Sequence, residues 1–478
     1  MIAGTDPLRA RYDTIPYRHG AVPLSHPARV GAIARLFAWP AAPPDRCRVL
    51  ELGCGEGMNL LPLADRLPQS EFVGMDLSAA QIAVAEEARV ACRLTNARFL
   101  CADLRDFEPE KFDYVIAHGV YSWVPDDVKD RLLAICAHAL APHGVAYISF
   151  STLPGWALLG GLRGFLLAET AGETTPAGQL ERTRRILQAL ATCTAEQPGS
   201  YAGMVREAVD DMLRKSPELL FHDELAAVND PCTFLDFTAH AARHGLHYLG
   251  EAHYASMPFE HVPAPMRNAL AELDLDFFRT QQFMDVLFQR WLRTSLFARN
   301  EPATRSASPN MICECALGLR WPISDGKVDL APGAPLRLTG PNAVALDFRR
   351  PLEKAFLAGL AEAAPARVPF SDALERAHQL LRRVALPAPD DDAALRAELL
   401  RLFSIDALDL ILTGEGQWLR TGNPPSPSEL MRYQARGGFA LTNRWHEQID
   451  LTPEGRHALA DSSQTVNESA LRQAGLLV

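Results

Sequence analysis

The residues able to do chemistry come in an ordered series. The stretch VLELGCGEGMN, residues 49 to 59, is an apolar run that ends in Glu51 and passes into glycines at 53, 55 and 57. Glycines between a strand and a helix let the backbone turn close against a ligand and aim the helix N-terminus at a small anionic group. A dinucleotide turn needs Gly-x-Gly-x-x-Gly, and Met58 stands where its third glycine would fall. The spacing therefore excludes a pyrophosphate and leaves a carboxylate. Asp76 closes EFVGMDL, where an acid can accept hydrogen bonds from both hydroxyls of a ribose. Asp103, in CADLRDF, stands where a carboxylate can accept an exocyclic amine proton from adenine. An amino-acid end, a ribose and an adenine together describe S-adenosylmethionine.

The elements that must position these residues are legible from residue 46 to 150. Apolar strand-like runs (CRVLELG, EFVGMDL, ARFLCADL, FDYVIAHGV, GVAYISF) alternate with helical ones (NLLPLADRLP, AAQIAVAEEARVAC, DVKDRLLAICAHAL). This alternation predicts a parallel sheet with helices on both faces, and such sheets bind ligands beyond the C-terminal ends of their strands. Glu51, Asp76 and Asp103 end the first three strands. The fourth, FDYVIAH, ends in His118, followed by Tyr121 and Trp123 in GVYSWV. Methyl transfer from a sulfonium is an in-line displacement governed by alignment. A neutral His118 could accept a proton there, and the two rings could face a cation. The bland alternative is that Tyr121 and Trp123 pack the rim of the sheet and His118 donates to a backbone carbonyl.

At 478 residues the chain exceeds one ordinary domain. Residues 1–44, rich in proline and aromatics, read as an arm with a short helix near ARVGAIARLFAW, able to act as a lid. The expected divisions are a methyltransferase domain over 45–215, a separate module over 216–305, a β-rich connector over 306–350 and a winged-helix-like domain over 351–478. DFFRTQQFMDVLFQRWLRTSLFAR reads as helical throughout, NMICECALGLRW as a strand, PAPDDDA as a linker and TGNPPSPSE as a loop. With 48% apolar and 22% charged residues the composition is globular, and a net charge of −11 argues against nucleic acid as partner. No signal peptide or membrane span is expected, which points to the cytoplasm. The nine cysteines form neither a disulfide framework nor a zinc set, and His222, Asp223 and Glu224, contiguous on a helix, point apart. No metal is expected.

Beyond these readings, the chain resembles class I S-adenosylmethionine-dependent methyltransferases that carry a methyltransferase regulatory domain, a bacterial group that includes outer-membrane-protein lysine methyltransferases. The resemblance is carried by YDTIPY and LSHP in the arm, CRVLELGCGEGMNLLPLA, FVGMDLSAAQI, HGVYSWVP, LAPHGVAYISFSTLPGW, LFHDELAAVNDPCTFLDFTAHAARHGLHYLGEA and RGGFALTNRWHEQIDL. It implies an α/β chain: a Rossmann-like seven-stranded domain, then a mainly helical regulatory module and a small winged-helix-like α+β domain. It also implies cofactor contacts from Glu51, Gly53, Cys54, Gly55, Asn59, Asp76, Leu77, Gln81, Asp103, Leu104 and His118. Tyr12, Tyr17 and His26 of the arm would close over them. Transfer would fall to His118, Tyr121, Trp123 and Tyr17. Phe150 and Ser151 stand where relatives often carry a Tyr-Asn pair able to orient an acceptor. The acceptor implied is a protein lysine, with a small molecule or biosynthetic peptide as the alternative and a cofactor-binding protein without transfer activity as a further one. A homodimer is compatible with the chain.

Overall fold

The computed structural model describes residues 7–258, 262–324, 328–387, 392–414 and 427–461, together with 471 and 476. Its centre is a seven-stranded sheet made of β1 (Arg48–Leu52), β2 (Glu71–Asp76), β3 (Ala97–Cys101), β4 (Phe112–Ala117), β5 (Leu140–Ser151), β6 (His247–Glu251) and β7 (Leu292–Ala298). The spatial order is β3-β2-β1-β4-β5-β7-β6. β1 to β5 run parallel, while β7 is antiparallel to both β5 and β6. Val49 to Leu52 are fully buried, as a continuous apolar run covered on both faces must be. This is the Rossmann-like arrangement expected. The strand order reverses between β1 and β4, so a ligand crevice opens beyond their C-terminal ends.

Helices α2 (Pro27–Leu36), α3 (Leu60–Arg66), α4 (Ala79–Ala91) and α5 (Asp126–Ala139) pack on the sheet, α1 (Pro7–Thr14) lies against α4, and α6 (Trp156–Thr170), α7 (Pro176–Thr194) and α8 (Ser200–Arg214) pack on one another. α2 is buried along almost its whole length. Its Arg29 pairs with the buried Asp409, which Arg367 also holds at 2.7 Å. α6 to α8 gather Leu166, Leu187, Val205, Val209 and Met212 into a separate small core.

Two sequence expectations change. Residues 277–298 are not one helix: Phe277–Leu287 is helical, Gln289 takes a left-handed φ of 48°, and β7 follows. Leu292–Ala298 pairs along both edges, and that tertiary pairing overrides a local helical pattern. Accordingly, the segment expected to form a separate module after residue 215 supplies the last two strands of the same sheet. Likewise Cys315–Leu319, in the expected connector, pairs with Val368–Pro369 and Leu408–Leu412 in a three-stranded antiparallel sheet. Helices Pro351–Ala363, Phe370–Arg383 and Ala393–Ser404 pack with it as a winged-helix-like α+β unit. Cys315 is buried on its strand, while Cys313 is exposed in the preceding turn. Most of PAPDDDA and TGNPPSPSE lies outside the described residues. Among the described residues, no helix is long and apolar enough to cross a membrane.

Candidate functional site

The glycine turn leaves β1 with Gly53 at φ 77° and Gly55 at φ 53°, backbone states that L side chains rarely adopt. A β-carbon at Gly53 would fall 2.6 Å from Val120 Cγ2, and one at Gly55 would fall 2.8 Å from Gln81 Oε1. Both positions face a cleft of about 820 Å³ beyond the C-terminal strand ends. Asp76 reaches back to the turn: its Oδ2 accepts from Gly55 N–H at 2.9 Å and its Oδ1 from Ser78 N–H at 2.9 Å. A carboxylate offers about four lone-pair sites, so two remain for ribose hydroxyls. Burial holds the Asp76 carboxyl above its ordinary range, against the pull of these backbone donors. Leu77 and Gln81 line the cleft beside it, and Ser78 caps α4 by accepting from Gln81 N–H.

Asp103 also lines the cleft, capping the turn Leu104–Asp106 through Arg105 N–H at 2.8 Å and meeting the Arg105 guanidinium at 3.1 Å. Leu104 is its neighbour on the wall. His118 and Trp123 enter the cleft from the other side of the switch point. His118 Nδ1 lies 3.0 Å from Tyr147 Oη, and burial, with His19 adding, pushes its pKa down to about 4. It is therefore a neutral imidazole at pH 7. Trp123 stands edge to face against Trp156 at 5.8 Å.

The arm closes over this cleft. Tyr12 stacks on His222 at 4.7 Å, His222 Nε2 lies 2.6 Å from Ile15 O, and Tyr17 Oη donates to Asp223 Oδ1 in a long 3.5 Å contact. Tyr12 and Tyr17 both line the cleft. Burial pushes the Tyr12 phenol up to about 12 and raises that of Tyr17 as well, so both keep their protons. Asp223 and Glu224 share Lys215, at 3.0 and 2.8 Å.

Five expected site residues do not line the cleft but stand behind it. Cys54 is buried within the turn, behind the cleft wall. Glu51 and Asn59 form a buried network: Asn59 Nδ2 donates to Glu51 Oε1 at 2.8 Å, while Asn59 Oδ1 accepts from Val22 N–H at 2.8 Å and meets His446 Nε2 at 2.7 Å. Asn59 thus ties β1, the arm and the C-terminal part together. His26 is the cap of α2, accepting from Ala28 N–H at 3.0 Å and facing His446 edge-on. Tyr121 is buried, stands edge-on to Phe237 at 4.7 Å and meets His240 Nδ1 at 2.8 Å through its hydroxyl, so it packs behind the wall that Trp123 presents. These side chains position the site from behind.

Other lining residues went unread in the sequence. His19, two residues from Tyr17, would stand 3.2 Å from a β-carbon on Gly55. Trp156, Leu158 and Leu159 of α6, Met204, Glu207 and Asp211 of α8, and Trp291 before β7 form the outer half. Their signal was present only as the helical periodicity of α6 and α8, which says nothing about which face meets a cleft. Gln448 arrives from the C-terminal part and donates to Ala21 O at 2.9 Å.

The buried, unpartnered Glu51 Oε2 behind the glycine turn offers a test of fit for a ligand bearing an ammonium. Burial raises the Glu51 carboxyl to about 8, opposed by Asn59 and reinforced by Asp76. A cation nearby would favour the ionised form. We expect binding of S-adenosylhomocysteine to release a proton near pH 7 and its affinity to rise with pH between about 4.5 and 8. In the free protein the sign is opposite. The native residue keeps a proton that the unfolded one loses, so its contribution to stability falls as pH climbs through that window. Calorimetry in buffers of different ionisation enthalpy reads the proton, and Glu51→Gln should abolish it. Equal heats in all buffers would separate Glu51 from the ligand.

Residues 49–144 match the methyltransferase domain family, and residues 216–299 match the "predicted methyltransferase regulatory domain" family. An uncharacterised protein of Rickettsia prowazekii (strain Madrid E) is 32% identical over 292 residues, 61% of this chain and 53% of its own. The chain thus spans about half the length of that relative. A second uncharacterised protein of the same organism is 29% identical over 234 residues, 48% of this chain and 94% of its own. Among solved structures, PKMT2 from Rickettsia typhi in complex with AdoHcy superposes with a TM-score of 0.81 at 24% identity, covering 96% of this chain and 91% of the other. That likeness fixes the fold.

Proposed function

We propose that this chain, whose residues 49–144 match the methyltransferase domain family and 216–299 the predicted methyltransferase regulatory domain family, is a protein N-methyltransferase that acts on lysine side chains in the cytoplasm. The observation that carries this reading is the outer half of the cleft. Its walls are apolar and aromatic, with Trp123, Trp156 and Leu159, and α8 adds the exposed acid Glu207 and, paired with Arg214 at 3.5 Å, Asp211. An aliphatic stem ending in a cation fits such a channel: the stem is desolvated against the rings while the acids attract the charge. Trp291, 57% exposed, and Met204, 37% exposed, offer apolar surface at the rim to the polypeptide that bears the lysine. PKMT2 from Rickettsia typhi shares this fold.

When bound, S-adenosylmethionine supplies an electrophilic methyl group on a sulfonium. The glycine turn and Asp76 would hold the donor by its amino-acid end and ribose, and Asp103 would border the adenine. The amine nitrogen must reach the methyl carbon without its proton, since only a free lone pair attacks. The apolar wall disfavours the charged amine and so lowers its pKa. In the tautomer that donates Nδ1–H to Tyr147 Oη, His118 Nε2 would be free to accept a hydrogen bond from the amine. Transfer to the free amine would form the nitrogen–carbon bond as the carbon–sulfur bond breaks, leaving a neutral thioether, and the methylated ammonium would give its proton to solvent.

Trp123→Ala should reduce methyl transfer about five- to thirtyfold, the loss of one oriented cation–aromatic contact of about 1–2 kcal/mol. Cofactor affinity should stay unchanged. Matched transfer and cofactor-binding measurements check this, and equal losses in both would show Trp123 to be a packing residue.

A further inference from the structure

We propose that Asp130, His240 and His244 form a divalent transition-metal site behind the wall of the cleft, of the kind that suits Zn²⁺. His240 and His244 are four residues apart on the helix Phe234–Arg243 and its C-terminal cap, and so share one face. Asp130 faces them from α5. Asp130 Oδ1 lies 3.3 Å from His240 Nε2 and 2.9 Å from His244 Nε2, and the three donor atoms all fall within 4.8 Å of one another. A tetrahedral ion with bonds of roughly 2 Å sets its ligand atoms roughly 3.3 Å apart, so the spacing needs little adjustment. Two imidazoles and one carboxylate are a donor set for a borderline-soft ion, with a fourth position left to water.

A second feature points the same way. An imidazole that binds a metal through Nε2 must carry its proton on Nδ1 and commonly donates it to an oxygen that fixes the ring. His240 Nδ1 lies 2.8 Å from the hydroxyl of Tyr121. Tyr121 belongs to the turn Tyr121–Trp123, whose Trp123 lines the cleft. Both histidine side chains are mostly shielded, at 14% and 16% exposed, while Asp130 opens to solvent, which gives the ion a path of entry. Arg243, on the same helix, is the neighbouring cation that the site must tolerate. Asp130 lies within the methyltransferase match and the histidines within the regulatory match, so an ion here would pin the two together.

The test uses the full chain, stripped with a chelator and titrated with Zn²⁺ alone by calorimetry. The expected result is one equivalent bound at micromolar affinity or tighter, weakened at least tenfold in Asp130→Asn and in His244→Gln. S-adenosylhomocysteine binding, retained in both variants, reports that they fold. Substitution of Co²⁺ into the wild-type chain gives a reading independent of any variant: intense visible bands of four-coordinate cobalt are expected. Absence of Zn²⁺ binding, undiminished affinity in both variants, or a cobalt spectrum identical to that of the aqueous ion would overturn the site and leave a carboxylate–histidine ion pair.

Discussion

Asp76→Ala should weaken S-adenosylmethionine binding by roughly 10²-fold, corresponding to about 3 kcal/mol. Two losses combine in this substitution. The ribose hydroxyls lose a charged acceptor, and the N–H groups of Gly55 and Ser78 lose the oxygens that now hold them at 2.9 Å. The second loss matters because Gly55 sits at a left-handed φ in the turn that receives the ligand. Asp76→Asn keeps one carbonyl acceptor and should fall between wild type and alanine. Equilibrium binding of S-adenosylhomocysteine reads the series, and an alanine variant within about threefold of wild type would remove the ribose assignment.

Arg293→Met should cost about 3–5 kcal/mol of stability, because it strips the partner from buried acids. Arg293 is fully buried in β7. It meets Asp285 through Nε at 2.9 Å and through its terminal nitrogen at 2.8 Å, pairs with Glu251 of β6, donates to Gln281 O at 3.0 Å and lies 3.9 Å over the Phe234 ring. Replacing the cation leaves Glu251 without its ion-pair partner in a dry interior and Asp285 with Arg290 alone, at 2.8 Å, so the pair of acids is left undercompensated or takes up a proton. Because β7 runs on from Trp291 and Leu292, which line the cleft, transfer should fall along with the urea midpoint. A midpoint shift equivalent to less than about 1 kcal/mol would show that the network relaxes without its arginine.

The gathering of several expected residues on one cleft was readable from residue order alone. The turn at Gly53 and Gly55, Asp76, Asp103 and His118 are placed by strand ends, and strand ends follow from local periodicity. Residues that act through distant partners were not readable in this way. Asn59 looks like a cofactor contact until His446, far along the chain, is seen to share its Oδ1 with the arm. Tyr121 looks like a catalytic aromatic until His240 takes its hydroxyl. β7 reads as helix because its apolar residues also fit a helical spacing, and only the edges of β5 and β6 decide the matter. The acceptor half had no local signature at all, since α6, α8 and the approach to β7 meet only in space. Glu207 and Asp211 are ordinary exposed helix acids in the sequence, and their position lining the cleft is what gives them meaning.

The most direct measurement is incubation of the full chain with methyl-labelled S-adenosylmethionine and cell extract, with protein and small-molecule fractions separated and the labelled atom identified by mass spectrometry. Label on lysine Nζ of a protein is the predicted result, lost in Asp76→Ala and strongly reduced in Trp123→Ala. Label confined to small molecules would contradict the lysine reading, and no label in any fraction from a chain that binds the cofactor would contradict methyl transfer itself.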